Sequence, residues 1–117
     1  MSSLIHANAL FLLGRHKEAF DAYVQLTKVS PNAVAASNVG YMYHRGIAVV
    51  RDYEKARAYY SAAMLEDGGV SYYNMALMFL RGQGVPVNFK MAIDCMKRSA
   101  ELGCPDARLY LGLGSKV

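Results

Sequence analysis

The sequence of 117 residues contains no tryptophan, only three prolines and two cysteines, and no run of basic residues. Without such a run, the net charge of +4 predicts neither a nucleic-acid surface nor a membrane-binding stripe. A hydrophobic content of 54% excludes a disordered chain, and charged residues interrupt the apolar segments too often for membrane insertion. The length and composition therefore predict one folded domain over residues 1–117.

Two further features bear on the compartment. The apolar stretch from Ala7 to Leu13 has no basic residue before it and no small-residue cleavage site after it, so we interpret it as a helix rather than a signal peptide. Cys95 and Cys104 lie across a predicted helix end, about 13 Å apart if the helix continues, which is beyond disulfide reach. We therefore expect free thiols and a cytoplasmic protein.

The chain repeats itself with a shift of 36 residues, which carries segment 38–46 onto segment 74–82. Both segments begin with Asn and keep a small residue, an aromatic residue, Arg and Gly in the same order. A partial third copy places Gly112 at the position of Gly40 and Ala76. The match continues through the pairs Val49 and Val85, Asp52 and Asn88, Tyr53 and Phe89, and Ala56 and Ala92. This regularity is typical of a repeat architecture.

Each copy predicts a hairpin of two helices. The first helix of the first copy is predicted from about Asn32 to Arg45, where Gly46 ends it because glycine tolerates the left-handed conformation that follows a helix. Gly82 has the same role one repeat later. The second helices are predicted over residues 53–65 and 89–102, each preceded by a good N-cap residue, Asp52 or Asn88.

Residue size alternates in a way that helix packing requires. Small residues recur where the two helices of a hairpin would approach closely, and bulky residues recur where hairpins would pack together. The small residues are Gly40, Ala56, Ala76 and Ala92, and the bulky ones are Tyr43, Tyr59, Tyr60, Phe79 and Met96.

These residues carry a family resemblance. The first copy reads Gly40-x-x-Tyr43-x-x-Gly46, then Val49, Asp52-x-x-Lys55-Ala56, Tyr59-Tyr60 and Ala62-Ala63, and it resembles a Sel1-like repeat of the tetratricopeptide-like superfamily. The second copy departs from the pattern at Ala76, Asn88 and Cys95-Met96 but keeps residue size or capping. The resemblance implies an all-α fold, a right-handed α-solenoid of about seven helices in stacked antiparallel hairpins, with units at 33–68 and 69–104.

The flanking regions extend this pattern. Residues 1–32 resemble a tetratricopeptide-like hairpin, with helices predicted from Met1 to Leu13 and from His16 to Val29. Residues 105–117 form a partial terminal repeat, whose helix from Pro105 to about Leu113 carries few polar residues. A terminal repeat normally shows a polar outer face. The apolar face of this helix leaves two alternatives open: the chain is part of a longer array, or it self-associates through this helix.

No arrangement of residues predicts catalysis or a cofactor. His6, His16 and His44 lie on different predicted helices, and none has a partner at the spacing of a metal site. No nucleophile is paired with a base, so we expect neither an enzyme nor a metal or cofactor site. We expect Cys95 to be buried as a small hydrophobic residue and Cys104 to be exposed.

The resemblance further implies that the first helices of the units line a concave surface, along which another protein or a peptide segment binds. The side chains implied to contact this partner are Ser37, Asn38, Tyr41, His44, Arg45, Tyr73, Asn74, Leu77, Arg81, Leu109 and Tyr110. An amide such as Asn38 can bond an extended peptide backbone, and an Arg can bind a carboxylate, although both can equally serve the helices themselves. The leading hypothesis is a scaffold or adaptor; the alternative is a structural or self-associating part of an array.

Overall fold

A computed structural model of the chain describes residues 3–29 and 31–114. Over these residues it contains helices and no strands. The helices are α1 (Leu4–Leu12), α2 (His16–Val29), α3 (Ala33–Arg45), α4 (Tyr53–Ala63), α5 (Val70–Arg81), α6 (Phe89–Glu101) and α7 (Pro105–Tyr110). The chain divides between Ala63 and Met64 into two compact units, which are described separately below.

The first unit consists of two helical hairpins. Helix α1 packs against α2, α3 packs against α4, and α2 contacts α3. The hydroxyl of Tyr23 donates a hydrogen bond of 2.5 Å to the side-chain oxygen of Asn8, which joins α1 to α2. The ring of Tyr43 stacks on Tyr59 and meets the ring of Phe20 edge-on, with centroid distances of 6.0 and 5.5 Å. These aromatic contacts join α2, α3 and α4 in one core.

Capping explains where α3 and α4 begin and end. The side chain of Asn32 accepts a hydrogen bond from the backbone N–H of Ala35, and Asp52 does the same for Lys55, both at 3.0 Å. Gly46 follows α3 in the left-handed region, with φ of 69° and ψ of 44°. The predicted glycine stop at Gly46 and the predicted cap Asp52 are thus confirmed, and Asn32, predicted as the start of α3, is its N-cap residue.

Close approach of α3 and α4 occurs at Gly40. A Cβ atom at this position would lie 2.9 Å from two ring carbons of Tyr60 and 3.2 Å from the carbonyl oxygen of Ala56. Both Ala56 and Tyr60 are fully buried. The prediction that Gly40 and Ala56 lie where the hairpin is tightest is therefore confirmed, and the reason is the aromatic ring that fills the space opposite.

The second unit contains the hairpin of α5 and α6, with α7 packed against α6. Gly82 ends α5 with φ of 67°, and Asn88 caps α6 by accepting from the N–H of Met91 at 3.0 Å. The buried hydroxyl of Ser99 donates a hydrogen bond of 2.6 Å to the carbonyl oxygen of Gly69, just before α5. This bond joins the end of α6 to the start of α5.

Glycine is required at position 69 for two reasons. Its φ of 91° lies in the left-handed region, and a Cβ atom there would lie only 2.5 Å from the carbonyl oxygen of Ser99. The neighbouring Asp67 accepts hydrogen bonds from the backbone N–H and the hydroxyl of Ser71, at 2.9 and 2.5 Å. The start of α5 is therefore fixed by side chains outside the helix.

Most predicted helix bounds agree with the structure, and the differences lie at the ends. Helix α4 ends at Ala63 rather than Leu65, α6 at Glu101 rather than Leu102, and α7 at Tyr110 rather than Leu113. Helix α1 begins at Leu4; the predicted start at Met1 lies outside the described residues. The division into 1–32, 33–68, 69–104 and 105–117 within a single domain stays a prediction.

We predict that Gly40→Ala destabilises the protein by about 1–3 kcal/mol, because the added methyl group overlaps the ring of Tyr60. Helix propensity alone would give the opposite sign, since Ala is favoured over Gly by about 1 kcal/mol in a helix interior. Urea unfolding followed by circular dichroism measures the change in the free energy of unfolding.

The second unit provides the control, because it has Ala76 and Met96 where the first has Gly40 and Tyr60. In a Tyr60→Met background, Gly40→Ala should cost less than in the natural protein. An equal cost in both backgrounds would contradict the assignment of the strain to the ring.

Candidate partner-binding surface

The structure separates the predicted partner-contacting residues into a buried group and an accessible group. Ser37, His44, Asn74 and Leu77 are buried, His44 to 2% exposure and Asn74 to 6%. The accessible residues are Asn38, Tyr41, Arg45, Tyr73, Arg81, Leu109 and Tyr110, of which the arginines and the two α7 residues are exposed. Only this second group has side chains that are accessible at the surface.

The buried polar residues serve the helices instead. The hydroxyl of Ser37 donates a hydrogen bond to the carbonyl oxygen of Val34 at 3.1 Å. The side-chain amide of Asn74 donates one to the carbonyl oxygen of Val70, also at 3.1 Å. The Nδ1 atom of His44 is hydrogen-bonded to the hydroxyl of Tyr60 at 3.0 Å, in the interface of α3 and α4. The polar atoms of Ser37, His44 and Asn74 thus satisfy bonds within the fold, and the apolar side chain of Leu77 is buried as well. Partner contact through these residues stays a prediction.

In the first unit, Arg45 and Tyr41 form one side-chain pair on α3. The Cζ atom of Arg45 lies 5.4 Å from the centroid of the Tyr41 ring, within the range of a cation–π contact. Arg45 is exposed and Tyr41 is partly buried. The four-residue spacing of the pair on one helix explains the contact.

In the second unit, titratable groups in and next to α7 act on the hydroxyl of Tyr73 on α5. Burial raises the pKa of the Tyr73 hydroxyl above its ordinary value, and Asp106, Cys104 and Tyr110 raise it further, against the opposing influence of Arg81. The ring of Tyr73 also packs against the core cluster that contains Cys104 and Ala107, at the start of α7. Sequence reasoning missed Asp106, the acidic residue that acts on the Tyr73 hydroxyl. The signal was available, because Asp106 and Tyr110 are four residues apart on α7 and therefore lie on one side of that helix.

Both cysteines are free and buried. The burial of Cys95 confirms the prediction, whereas the predicted exposure of Cys104 is wrong. Cys104 immediately precedes α7 and packs in a cluster with Ala76, Met96 and Ala107, because the chain turns inward there to start the helix. Burial, and to a lesser extent the charge of Asp94, raises the pKa of the Cys95 thiol, which disfavours the nucleophilic thiolate.

The described part of the chain contains neither a cluster of metal-binding side chains nor a membrane-spanning helix. Within residues 3–29 and 31–114, no three His, Cys, Asp or Glu side chains come together in a way that could hold a metal ion. Over the same ranges, no helix combines the length and the apolar character needed to cross a membrane.

The profile of the Sel1 repeat matches residues 33–65 and 69–104, which together make up more than half of the chain. The chain belongs to the Sel1 repeat family. Both matched segments begin at the first residue of a predicted unit, residue 33 or residue 69. The resemblance inferred from Gly40, Tyr43 and Gly46 is confirmed. No curated protein matches the chain.

Solved structures of Sel1 repeat proteins have the same fold. A Sel1 repeat protein from Oxalobacter formigenes superposes with a TM-score of 0.78 at 25% identity, over 96% of this chain and 49% of that one. A protective antigen of uropathogenic Escherichia coli strains that displays an SLR fold gives 0.71 at 21% identity, over 82% of this chain and 20% of that one. The all-α solenoid class is confirmed, and the chain spans about half or less of these relatives.

Sel1 repeats generally mediate protein–protein interactions. The first helices of both repeats carry accessible aromatic and arginine side chains. The candidate site of this Sel1 repeat protein is therefore a protein-binding surface.

We predict that neither Cys95 nor Cys104 reacts with a thiol-specific reagent at neutral pH in the folded protein, because both thiols are buried. Both should react at once in denaturant. Mass spectrometry of the modified protein counts the labelled thiols. Rapid modification of Cys95 without denaturant would contradict its assignment as an inert core residue.

Proposed function

We propose that this protein is a scaffold or adaptor that binds a segment of a partner protein along the concave face implied by the family resemblance. The observation that carries the proposal is a group of accessible side chains in the second unit, Tyr73 and Arg81 on α5 and Asp106 and Tyr110 on α7, with Tyr73 packed against the core cluster at the start of α7. Tyrosine and arginine are the residue types enriched in the energetically dominant parts of protein interfaces. The proposed contacts are Asn38, Tyr41, Arg45, Tyr73, Arg81, Leu109 and Tyr110.

The side chains in this group can recognise a partner in complementary ways. Tyr73 is partly buried, so its ring is held in place and loses little conformational freedom on binding. Arg81 is exposed at the end of α5 and offers a planar set of donors for a carboxylate or a backbone carbonyl. Asp106 adds a carboxylate that can accept from a partner's N–H groups. The group therefore suits an extended segment with both donors and acceptors.

The proposal includes the absence of catalysis and a cytoplasmic location. A non-enzymatic role is supported by the burial of both cysteines, and this burial raises the pKa of the Cys95 thiol, which disfavours its nucleophilic thiolate. The cytoplasm is supported by the two cysteines, which are free rather than paired.

The test is affinity capture from the source cell, comparing the natural protein with a variant that carries Arg81→Glu and Tyr110→Ala. Both residues are exposed, so the variant should keep its helicity in circular dichroism. We expect it to lose the partners that the natural protein captures, because the charge is reversed and the aromatic contact is removed.

The matched control is Arg98→Glu, which reverses an exposed cation on α6 that is not on a first helix. This variant should capture the same partners as the natural protein. Identical partner sets for all three proteins, or no partner at all, would contradict the proposed function.

A second candidate function is self-association through α7, as a structural part of an array or a homo-oligomer. The observation that favours it is the exposure of Leu109 at 75%, with Tyr110 and Leu113 at 54% each. Three large apolar side chains so close together are unusual on the surface of a monomeric protein.

Self-association through these side chains predicts a concentration-dependent mass in analytical ultracentrifugation. Replacing Leu109 and Leu113 by Ser should then yield a monomer, because the apolar contact is lost. The exposed Leu12 of α1 provides a control, since Leu12→Ser leaves α7 unchanged. A strictly monomeric natural protein at the highest attainable concentration would rule out this candidate.

A further inference from the structure

Three cations at the loop end of the hairpin formed by α3 and α4 are each placed over a tyrosine ring. The distances from the charged group to the ring centroid are 5.4 Å for Arg45 over Tyr41, 5.1 Å for Arg51 over Tyr53 and 5.4 Å for Lys55 over Tyr43. We refer to Arg45, Arg51 and Lys55 as the loop-end cations. All three are exposed, whereas the three tyrosines are partly buried. The rings therefore hold the cations at the surface.

The loop-end cations have no carboxylate partner among the described residues. Ion pairs within residues 3–29 and 31–114 involve other cations, among them Arg15 and Lys17 near the start of α2, and Lys90 and Arg98 on α6. The nearby carboxylate of Asp52 accepts a hydrogen bond from the backbone N–H of Lys55, in its role as helix cap. Glu54, exposed in the same turn, is the other acidic residue of this region.

Backbone contacts bring the three positions close together. A Cβ atom on Gly46, directly after Arg45, would lie 3.3 Å from the Cβ atom of Arg51. The backbone N–H of Asp52 donates to the carbonyl oxygen of Tyr43 at 2.9 Å, which fastens the loop to α3. Lys55 follows in the first turn of α4. The backbone positions of the three cations therefore lie at one end of this hairpin.

The fold does not require these charges, because the second unit forms the same hairpin end without two of them. It keeps Arg81 at the position of Arg45 but has Val87 and Met91 where the first unit has Arg51 and Lys55. Nevertheless, the loop geometry is the same. The backbone N–H of Asn88 donates to the carbonyl oxygen of Phe79 at 3.0 Å, as Asp52 does to Tyr43 in the first unit.

We propose that the loop-end cations bind an acidic segment of a partner protein, through its Asp or Glu carboxylates. A guanidinium group stacked on a ring keeps its in-plane N–H donors free, and these match a carboxylate in a paired geometry. This inference rests on the proposed function and names the chemistry of its partner. A peptide is favoured over a nucleic acid because three cations beside Glu54 can neutralise only a few charges, whereas nucleic-acid binding uses a larger basic surface.

The test uses a synthetic peptide of alternating Glu and Ser, with a Gln and Ser peptide of the same length for comparison. Nuclear magnetic resonance follows the backbone amides of the full chain during titration at about 0.1 M salt. We expect the acidic peptide alone to shift the amides of residues 45–55. A variant with Arg45→Gln, Arg51→Gln and Lys55→Gln should bind it at least about tenfold more weakly, because the charge-assisted hydrogen bonds are lost.

The matched control is Lys17→Gln. Lys17 also lies over an aromatic ring, 5.7 Å from the centroid of Phe20, but it is already paired with Asp21 at 3.2 Å. This variant should bind the acidic peptide as the natural protein does. The inference is overturned by equal affinity of the triple variant, by no shift with the acidic peptide, or by a stronger response to single-stranded DNA or anionic lipid vesicles.

Affinity capture separates this inference from the proposed function. If the triple variant retains every partner of the natural protein, the loop-end cations are not the binding site, although the scaffold function stands. If the natural protein captures no partner, the scaffold function itself fails.

Discussion

The close approach of two helices at Gly40 sets the geometry of the first repeat. Because position 40 has no side chain, the ring of Tyr60 lies directly against α3, and its hydroxyl reaches the buried His44. The same approach places the first turn of α4 beside the last turn of α3. The contact of Lys55 on α4 with the ring of Tyr43 on α3 depends on that placement, so a packing constraint in the core also positions a charge at the surface.

Much of the fold was predictable because its determinants are local or repeated. Gly46 and Gly82 end helices by a backbone conformation that few other residues adopt, and Asp52 and Asn88 begin them by accepting an N–H of their own turn. Such features depend on neighbouring residues only. The last helix ends at Tyr110, earlier than the predicted Leu113, because Gly112 takes the left-handed conformation just past its end, with φ of 73°.

The candidate surface was harder to predict, since burial depends on three-dimensional neighbours. His44 and Asn74 occupy first-helix positions that suggested partner contact, yet each bonds within the fold. Cys104 was expected at the surface, but the turn into α7 carries it into the core. Conversely, the contact of Lys55 with Tyr43 was invisible in the sequence, because no periodic pattern links residues across a hairpin loop. Arg51 contacts Tyr53 from within the loop, where the sequence has no helical period to interpret.

The hydrogen bond from Ser99 to Gly69 has a consequence for motion in the second unit. It connects the last turn of α6 to the residue that precedes α5, at a distance of 2.6 Å in a buried setting. Fraying of either helix end breaks this bond and exposes its polar atoms. The two ends should therefore open as one cooperative segment, with matched rates of amide hydrogen exchange rather than independent fraying.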